Sequence, residues 1–283
     1  MLVQNAYLEL GRRSSICYHW LFGSKRDISF LELCKFFFGL PCEFMAKPKI
    51  KKIYEHGQNI IVYFNDFVEP LYYPKEMDRH SLYQVISELF YENNWHYYEK
   101  MCTNVALDDV VVDCGAAEGL FSLQIARRCK KVYIIEPLPN FVDVLNLTFS
   151  QFENVEIIPV ALSDSEGHCG MDSKDISSSL IISEPGGQIK VTTIDKLFYE
   201  RNIPISYIKA DIEGYEINML KGAFMTIKKY KPCIAITTYH KSNHAEWIIN
   251  YLKQIDEKYK IRLVGIEDKY GAPVMLHATF ENQ

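Results

Sequence analysis

The spacing of apolar positions changes character near residue 105. Beyond it, β-branched runs alternate with stretches in which apolar residues recur every three or four positions, the pattern of strands and helices in turn. Residues 109–113 read as a strand and 119–128 as a helix, with Leu120, Leu123, Ile125 and Ala126 on its buried side. A second strand spans 131–136, a second helix 140–152, and a third strand 155–161, which ends at a polar turn over 163–167. Helical periodicity is lost over 168–194, where 177–182 and 189–194 read as short strands around a turn at 184–187. A fourth main strand over 205–211, a short helix over 215–221, a fifth strand over 233–238 and a helix over 245–259 follow. Residues 262–266 and 274–279 read as a closing antiparallel pair. The alternation predicts an α/β fold, a doubly wound and mostly parallel sheet with a ligand crevice at the carboxyl ends of its strands.

Before residue 105 the chain is rich in aromatic residues and shows no such alternation. Residues 60–64 read as a strand, and 71–74 as extended chain, because Pro74 restricts the residue before it. Leu82, Val85, Ile86, Leu89 and Phe90 predict a helix over 81–91, capped by Asp78 or Ser81. The cluster Asn94-Trp-His-Tyr-Tyr98 reads first as packing against the following domain; lining an acceptor pocket is the other reading, since aromatic faces suit sugar rings. The apolar stretch 28–44 is interrupted by Glu32, Lys35 and the break Gly39-Leu-Pro41, too short to span a bilayer. The expected division is an α+β extension over 1–104, open to acceptor-binding, lid or dimerisation roles, and a ligand-binding domain over 105–283.

The loop after the first strand carries the clearest chemistry. It reads Asp113-Cys-Gly-Ala-Ala-Glu-Gly119, with Ala117 where a dinucleotide loop would place its second glycine. An acid at the strand end would repel a pyrophosphate, whereas it would attract the sulfonium and ammonium of S-adenosylmethionine (SAM). Gly115 and Gly119 allow close approach to a ligand. Glu136, ending the second strand, is placed to accept two ribose hydroxyls. The competing reading is a buried turn that needs glycine for its geometry alone.

Composition narrows the frame. The 283 residues carry a net charge of −5, which offers no footprint for a nucleic-acid backbone. Eight cysteines at scattered positions form no C-x-x-C pair and read as reduced core thiols of a soluble cytosolic protein, an expectation joined by the lack of a signal-peptide profile.

A second constellation lies at the fourth strand: Ile208-Lys-Ala-Asp-Ile-Glu-Gly-Tyr-Glu216. Asp211 falls at the strand end, Glu213 in the turn, Glu216 at a helix start, and Lys209 on the same strand face as Asp211. Three carboxylates and a lysine at one crevice point to chemistry, although acids also suit a helix N-terminus and Lys209 could serve only to pair with one of them.

Together with Ile135-Glu-Pro-Leu-Pro139, Pro159-Val-Ala-Leu-Ser-Asp164 and Leu220-Lys-Gly-Ala223, these motifs resemble the FkbM-type SAM-dependent methyltransferases, in matching order over residues 105–240. One departure is Ala117-Glu118, where that family often carries a small polar pair. The resemblance implies a class I methyltransferase fold, SAM as cofactor, and O-methylation of a hydroxyl on a sugar, glycan, polysaccharide or related metabolite. On that reading Asp113, Gly115, Ala117, Gly119, Glu136 and Asp211 hold the cofactor, Ala161 and Leu162 flank its adenine, and Asp164 meets the exocyclic amine. Glu213, Lys209 and His240 are the candidates for removing the acceptor proton. No metal is expected, with Asp211, Glu213 and His240 as the weaker alternative of a divalent site. Two rival readings stay open, a non-catalytic binding scaffold and a nucleotide-dependent oxidoreductase. The expected partner is a small-molecule or glycan acceptor and not nucleic acid, and a homodimer is left open.

Overall fold

The computed structural model describes residues 2–23, 28–100, 103–171, 180–181 and 188–280. The chain opens with helices α1 (Leu2–Phe22), α2 (Phe30–Phe37) and α3 (Cys42–Ala46). Strands β1 (Ile50–His56), β2 (Asn59–Phe64) and β3 (Leu71–Pro74) form an antiparallel sheet in that order, followed by helix α4 (Arg79–Leu89). The alternating part comprises β4 (Val110–Cys114), α5 (Leu120–Ile125), β5 (Lys131–Ile135), α6 (Pro139–Thr148) and β6 (Val155–Ile158). Short strands β7 (Ala161–Leu162), β8 (Gly167–Met171), β9 (Leu180–Ile181) and β10 (Ile189–Thr192) make a small separate sheet. The chain then returns through β11 (Tyr207–Ala210), α7 (Glu216–Lys221), α8 (Phe224–Tyr230), β12 (Cys233–Thr237), α9 (His244–Ile255), β13 (Tyr259–Val264) and β14 (Met275–Phe280).

Seven strands form the central sheet in the order β13-β14-β12-β11-β4-β5-β6. Pairing is parallel from β6 through to β12, and β14 runs antiparallel to both of its neighbours. The strand order reverses between β4 and β11, and a ligand crevice belongs at the carboxyl ends beside such a switch point. Period-two alternation assigns each strand residue to one of two cores. Val111, Val132, Ile134, Tyr207 and Ala235 join the core shared with α5 and the N-terminal elements. Val112, Tyr133, Ile208, Ile234 and Ile236 face the opposite core, beneath α7, α8 and α9.

Residues on both sides of position 105 contribute to one core: Leu33, Val62, Leu71, Leu82 and Trp95 pack in the same cluster as Leu120 and Val132. The Tyr72 backbone N–H donates to Thr148 Oγ1 at 3.0 Å, which ties β3 to α6.

Several expected bounds shift for identifiable reasons. The third strand stops at Ile158 because Pro159 offers no N–H to the ladder; Ala161 and Leu162 pair instead with β10. The helix expected to reach residue 259 ends at Ile255, where Asp256 turns extended and its Oδ1 accepts the Lys258 N–H, freeing Tyr259 to pair with Phe280. Helices α1, α2, α3 and α8 and strands β1 and β8 have no counterpart among the elements expected from the sequence. The helix near 81–91 begins at Arg79 with Asp78 as its N-cap residue. Of the strand expected over 177–182 only Leu180–Ile181 is described, and the turn at 184–187 lies outside the described residues. Among the described residues, no helix is long and apolar enough to cross a membrane.

Candidate functional site

A cleft of about 610 Å³ opens at the carboxyl ends of β4, β5 and β11. Its floor is the β4 loop, where Gly115 and Ala117 adopt left-handed backbone angles of φ +72° and +48°. At Gly115 a Cβ would collide with the carbonyl oxygen of Asp211, so the glycine lets the β4 loop pack against the end of β11. At Ala117 the same region is uncommon for a residue with a side chain. The Ala117 N–H donates to Glu136 Oε2 and the Leu138 N–H to Glu136 Oε1, both at 2.9 Å. Glu136 is thereby fixed at the cleft wall with lone pairs to spare. Burial pushes its pKa, and that of Glu118, which also lines the cleft, up to about 7. Phe141, Leu138, Val160 and Leu162 give this end of the cleft an apolar lining.

Asp113 does not reach this cleft, which corrects its expected contact with the cofactor. It shares a strand face with Val111 and points into the core, fully buried, where Oδ2 accepts from Ser122 Oγ at 2.7 Å and Oδ1 lies 3.0 Å from Lys209 Nζ. Lys209 also donates to the Gly115 carbonyl at 2.6 Å. Burial alone would lower its pKa, but Asp113 and Asp211 outweigh that and raise it. Lys209 is therefore a fixed cation under the loop, which corrects its candidacy as a base.

Asp211, Glu213 and His240 do come together. Asp211 accepts from Tyr98 Oη at 2.8 Å and from Thr237 Oγ1 at 3.1 Å. Glu213, at φ +53°, lines the cleft and is the most open of the three, 34% exposed. His240 sits behind, with Nε2 3.3 Å from Glu213 and 3.7 Å from Asp211, and Nδ1 2.8 Å from Glu216 Oε1. Burial would lower the His240 pKa, yet Glu213, Glu216 and Asp211 push it up to about 10. Its ring is held as an imidazolium at neutral pH, a state that speaks against His240 among the three candidate bases.

Two further expectations are corrected by position. Gly119 does not line the cleft: a Cβ there would run into Leu145 and Phe149, so it serves the packing of α5 on α6. Asp164 also stands off the cleft, exposed, and accepts from Asn218 Nδ2 at 3.2 Å. Ala161, Leu162 and Asp211 do line it. Tyr98, from the cluster for which pocket lining is the alternative reading, and Glu118 line the cleft; the sequence gives no sign of Tyr239 as a lining residue or of Glu216 as the buried partner of His240. The aromatic cluster divides: Trp95 stacks on Phe36 in the core, while Tyr98 faces the site. No local pattern separates those two roles.

The seven-stranded sheet with β14 reversed and a strand-end cleft at the switch point defines a class I methyltransferase fold. Residues 113–261 match the model of the FkbM methyltransferase domain, and the chain belongs to that family. A crystal structure of an FkbM methyltransferase from Methylobacillus flagellatus KT superposes with a TM-score of 0.51 at 21% identity, over 70% of this chain and 54% of that one. An uncharacterized protein of Methanocaldococcus jannaschii is 28% identical over 135 residues, 41% of this chain and 51% of that protein. A probable cobalt-precorrin-6B C(15)-methyltransferase (decarboxylating) of the same organism is 40% identical over 57 residues, 19% of this chain and 31% of that protein. The chain thus spans about half the length, or less, of the curated relatives it matches.

Proposed function

We propose that this protein is a SAM-dependent methyltransferase that methylates a hydroxyl of a sugar, glycan or related metabolite. The observation that carries this reading is Glu136: a carboxylate held by two loop N–H groups at the switch-point cleft, beside an apolar pocket. Those residues fit the cofactor. Glu136 has free lone pairs for ribose hydroxyls, and Phe141, Val160 and Leu162 offer apolar surface for an adenine ring. SAM, when bound, supplies an activated methyl group.

The chain's own part is to place an oxygen and take its proton. Of the three candidates for that proton, Lys209 and His240 already carry one. Both oxygens of Asp211 are engaged by Tyr98 and Thr237. Glu213 keeps an open carboxylate at the cleft and is the general base. The His240 imidazolium beside it holds the side chain in place and balances its charge.

The wall contributed by α4 supports a polyhydroxyl acceptor. Ser81, Gln84 and Glu88 project from one helix face towards Tyr98 and Tyr239, which combines hydrogen-bonding groups with aromatic surface. Seven carboxylates line the cleft against a single lysine, which disfavours a phosphate-bearing acceptor.

Calorimetric titration with S-adenosylhomocysteine, with NADH as control, tests the cofactor; labelled SAM with a panel of glycans tests the acceptor. Micromolar binding of the former alone is the expected result. No binding overturns the reading, and binding without turnover on any hydroxyl favours the non-catalytic scaffold.

A further inference from the structure

The N-terminal helices carry an exposed apolar face. On α1, Leu10, Tyr18, Leu21 and Phe22 share one side by helical spacing and are each more than half exposed, whereas Ile16 on the other side is buried in the core. Phe30 and Leu31 in the first turn of α2, Phe38 and Leu40 at its end, and Phe44 on α3 are 62–79% exposed. α1 and α2 lie side by side and antiparallel. Trp20 Nε1 donates to the Ile28 carbonyl at 2.9 Å at one end, and the Arg13 guanidinium to the Phe37 and Gly39 carbonyls at 2.6 and 2.9 Å at the other. Of sixteen exposed large apolar side chains among the described residues, nine belong to this short stretch, so they form a patch and not the scatter normal on a protein surface.

The charge of the same stretch identifies what covers it. Among the described residues from Leu10 to Lys52, seven are Lys or Arg and two are Glu, in a chain whose net charge is −5. Arg12 on α1 and Lys35 on α2 are exposed. Both acids are already engaged: Glu32 closes a capping box with Ser29, and Glu43 lies 2.8 Å from Lys47. A second copy docked on this face about a two-fold axis would set like charges opposite each other. An anionic partner suits it instead. Phe and Leu along one side of a helix, with Lys and Arg beside them, is the composition of helices that lie in a membrane interface.

We propose that this face docks the protein on an anionic lipid bilayer, with Phe22, Phe30 and Phe38 reaching the acyl boundary and Arg12 and Lys35 meeting the headgroups. Among the described residues no helix is long and apolar enough to cross a membrane, so the contact is with one leaflet. Two forces combine in it. Long-range attraction brings the basic stretch to the surface, and burial of aromatic side chains holds it there.

The test is co-sedimentation of the full chain with vesicles of phosphatidylcholine alone and of phosphatidylcholine with about 30% phosphatidylserine. The expected result is binding to the anionic vesicles at low salt, about tenfold or more tighter than to the neutral ones. The double variant Phe22→Ser, Phe38→Ser changes only exposed side chains, so its thermal midpoint should match the parent while its vesicle affinity falls about tenfold or more. Arg12→Glu with Lys35→Glu should abolish the preference for anionic lipid, with circular dichroism confirming the fold. Light scattering on the parent and the Ser variant gives the oligomeric state. No sedimentation of the parent with anionic vesicles, or equal binding by the Ser variant, overturns the assignment. A parental dimer that the Ser variant dissolves also overturns it and gives the face to a second copy. Vesicle binding is read without methyl transfer, so its outcome is separate from that of the cleft.

Discussion

Asp113 and Lys209 stand in register on β4 and β11, with 3.0 Å between Oδ1 and Nζ and almost no solvent reaching either. Across the fold's switch point this ion pair joins two strands, and a hydrogen bond from Lys209 to the Gly115 carbonyl reaches the loop above. The charge pair therefore supports the cleft floor, Asp113 from within the core and Lys209 at the lining itself. Removing one member of such a pair leaves an uncompensated buried charge.

Asp113→Asn and Lys209→Met are each expected to cost about 3 kcal/mol or more in urea unfolding. The double variant should cost clearly less than the sum, because neither orphaned charge remains. Strict additivity would show that the two side chains are not energetically coupled.

Tyr98 reaches Asp211 from a segment 113 residues earlier in the chain. Tyr98→Phe removes a hydrogen bond to a carboxylate, about 1.5–3 kcal/mol of interaction, with the ring packing retained. The expected outcome is a fall of about tenfold in kcat with S-adenosylhomocysteine affinity unchanged within about threefold. An unchanged kcat would place Asp211 outside the reacting geometry.

Glu118 and Glu136 give the ligand-free protein a distinctive response to pH. Burial raises both from an ordinary 4.5 to about 7. Below about pH 4.5 each is protonated folded or unfolded, and their neutral forms are accommodated without penalty. As pH rises through that value the unfolded chain releases its protons first, so the stability these groups confer falls until pH passes about 7. The steepest loss is about 1.4 kcal/mol per pH unit for each group. His277, whose pKa burial lowers from 6.5 to about 3, pulls the opposite way across the same range. The informative quantity is therefore a difference: Glu118→Gln and Glu136→Gln should each gain stability relative to the parent between pH 5 and 7. Parallel denaturation midpoints across that window would contradict the burial argument.

The parts of this molecule legible in its sequence are those that local pattern decides. β-branched runs and helical spacing mark the strands and helices of the alternating region, and glycine with an acid at each strand end marks the cleft. What a strand-end acid points at is another matter. Asp113 sits on the face of Val111, and strand parity sends it into the core, where a lysine of equal parity on the neighbouring strand meets it. That depends on strand order, which a single sequence leaves open. His240 reads as a titratable base until three carboxylates surround it, each from a separate part of the 211–216 segment. Tyr98 is one aromatic among five neighbouring residues, and only the long-range packing of the N-terminal elements selects it. Pro159 was readable: a residue without an N–H marks the end of β6, and the chain leaves the sheet there.

The division of labour within the cleft is tested by two carboxylates with different tasks. Glu136 is held by two backbone N–H groups, and the role proposed for it is binding. Glu136→Ala should weaken S-adenosylhomocysteine about 10- to 100-fold, the loss of one or two hydrogen bonds to a charged group. Glu213 also lines the cleft, and its carboxylate lies 3.3 Å from His240 Nε2. Glu213→Gln keeps its size and should leave that affinity intact while lowering kcat by about 100- to 10,000-fold, the range for removing a positioned base. The two variants should thus separate in opposite columns of one table of Kd and kcat. A Glu213→Gln enzyme with parental kcat would move the proton to another acceptor, whereas one that lost cofactor affinity would show that both carboxylates belong to the same pocket.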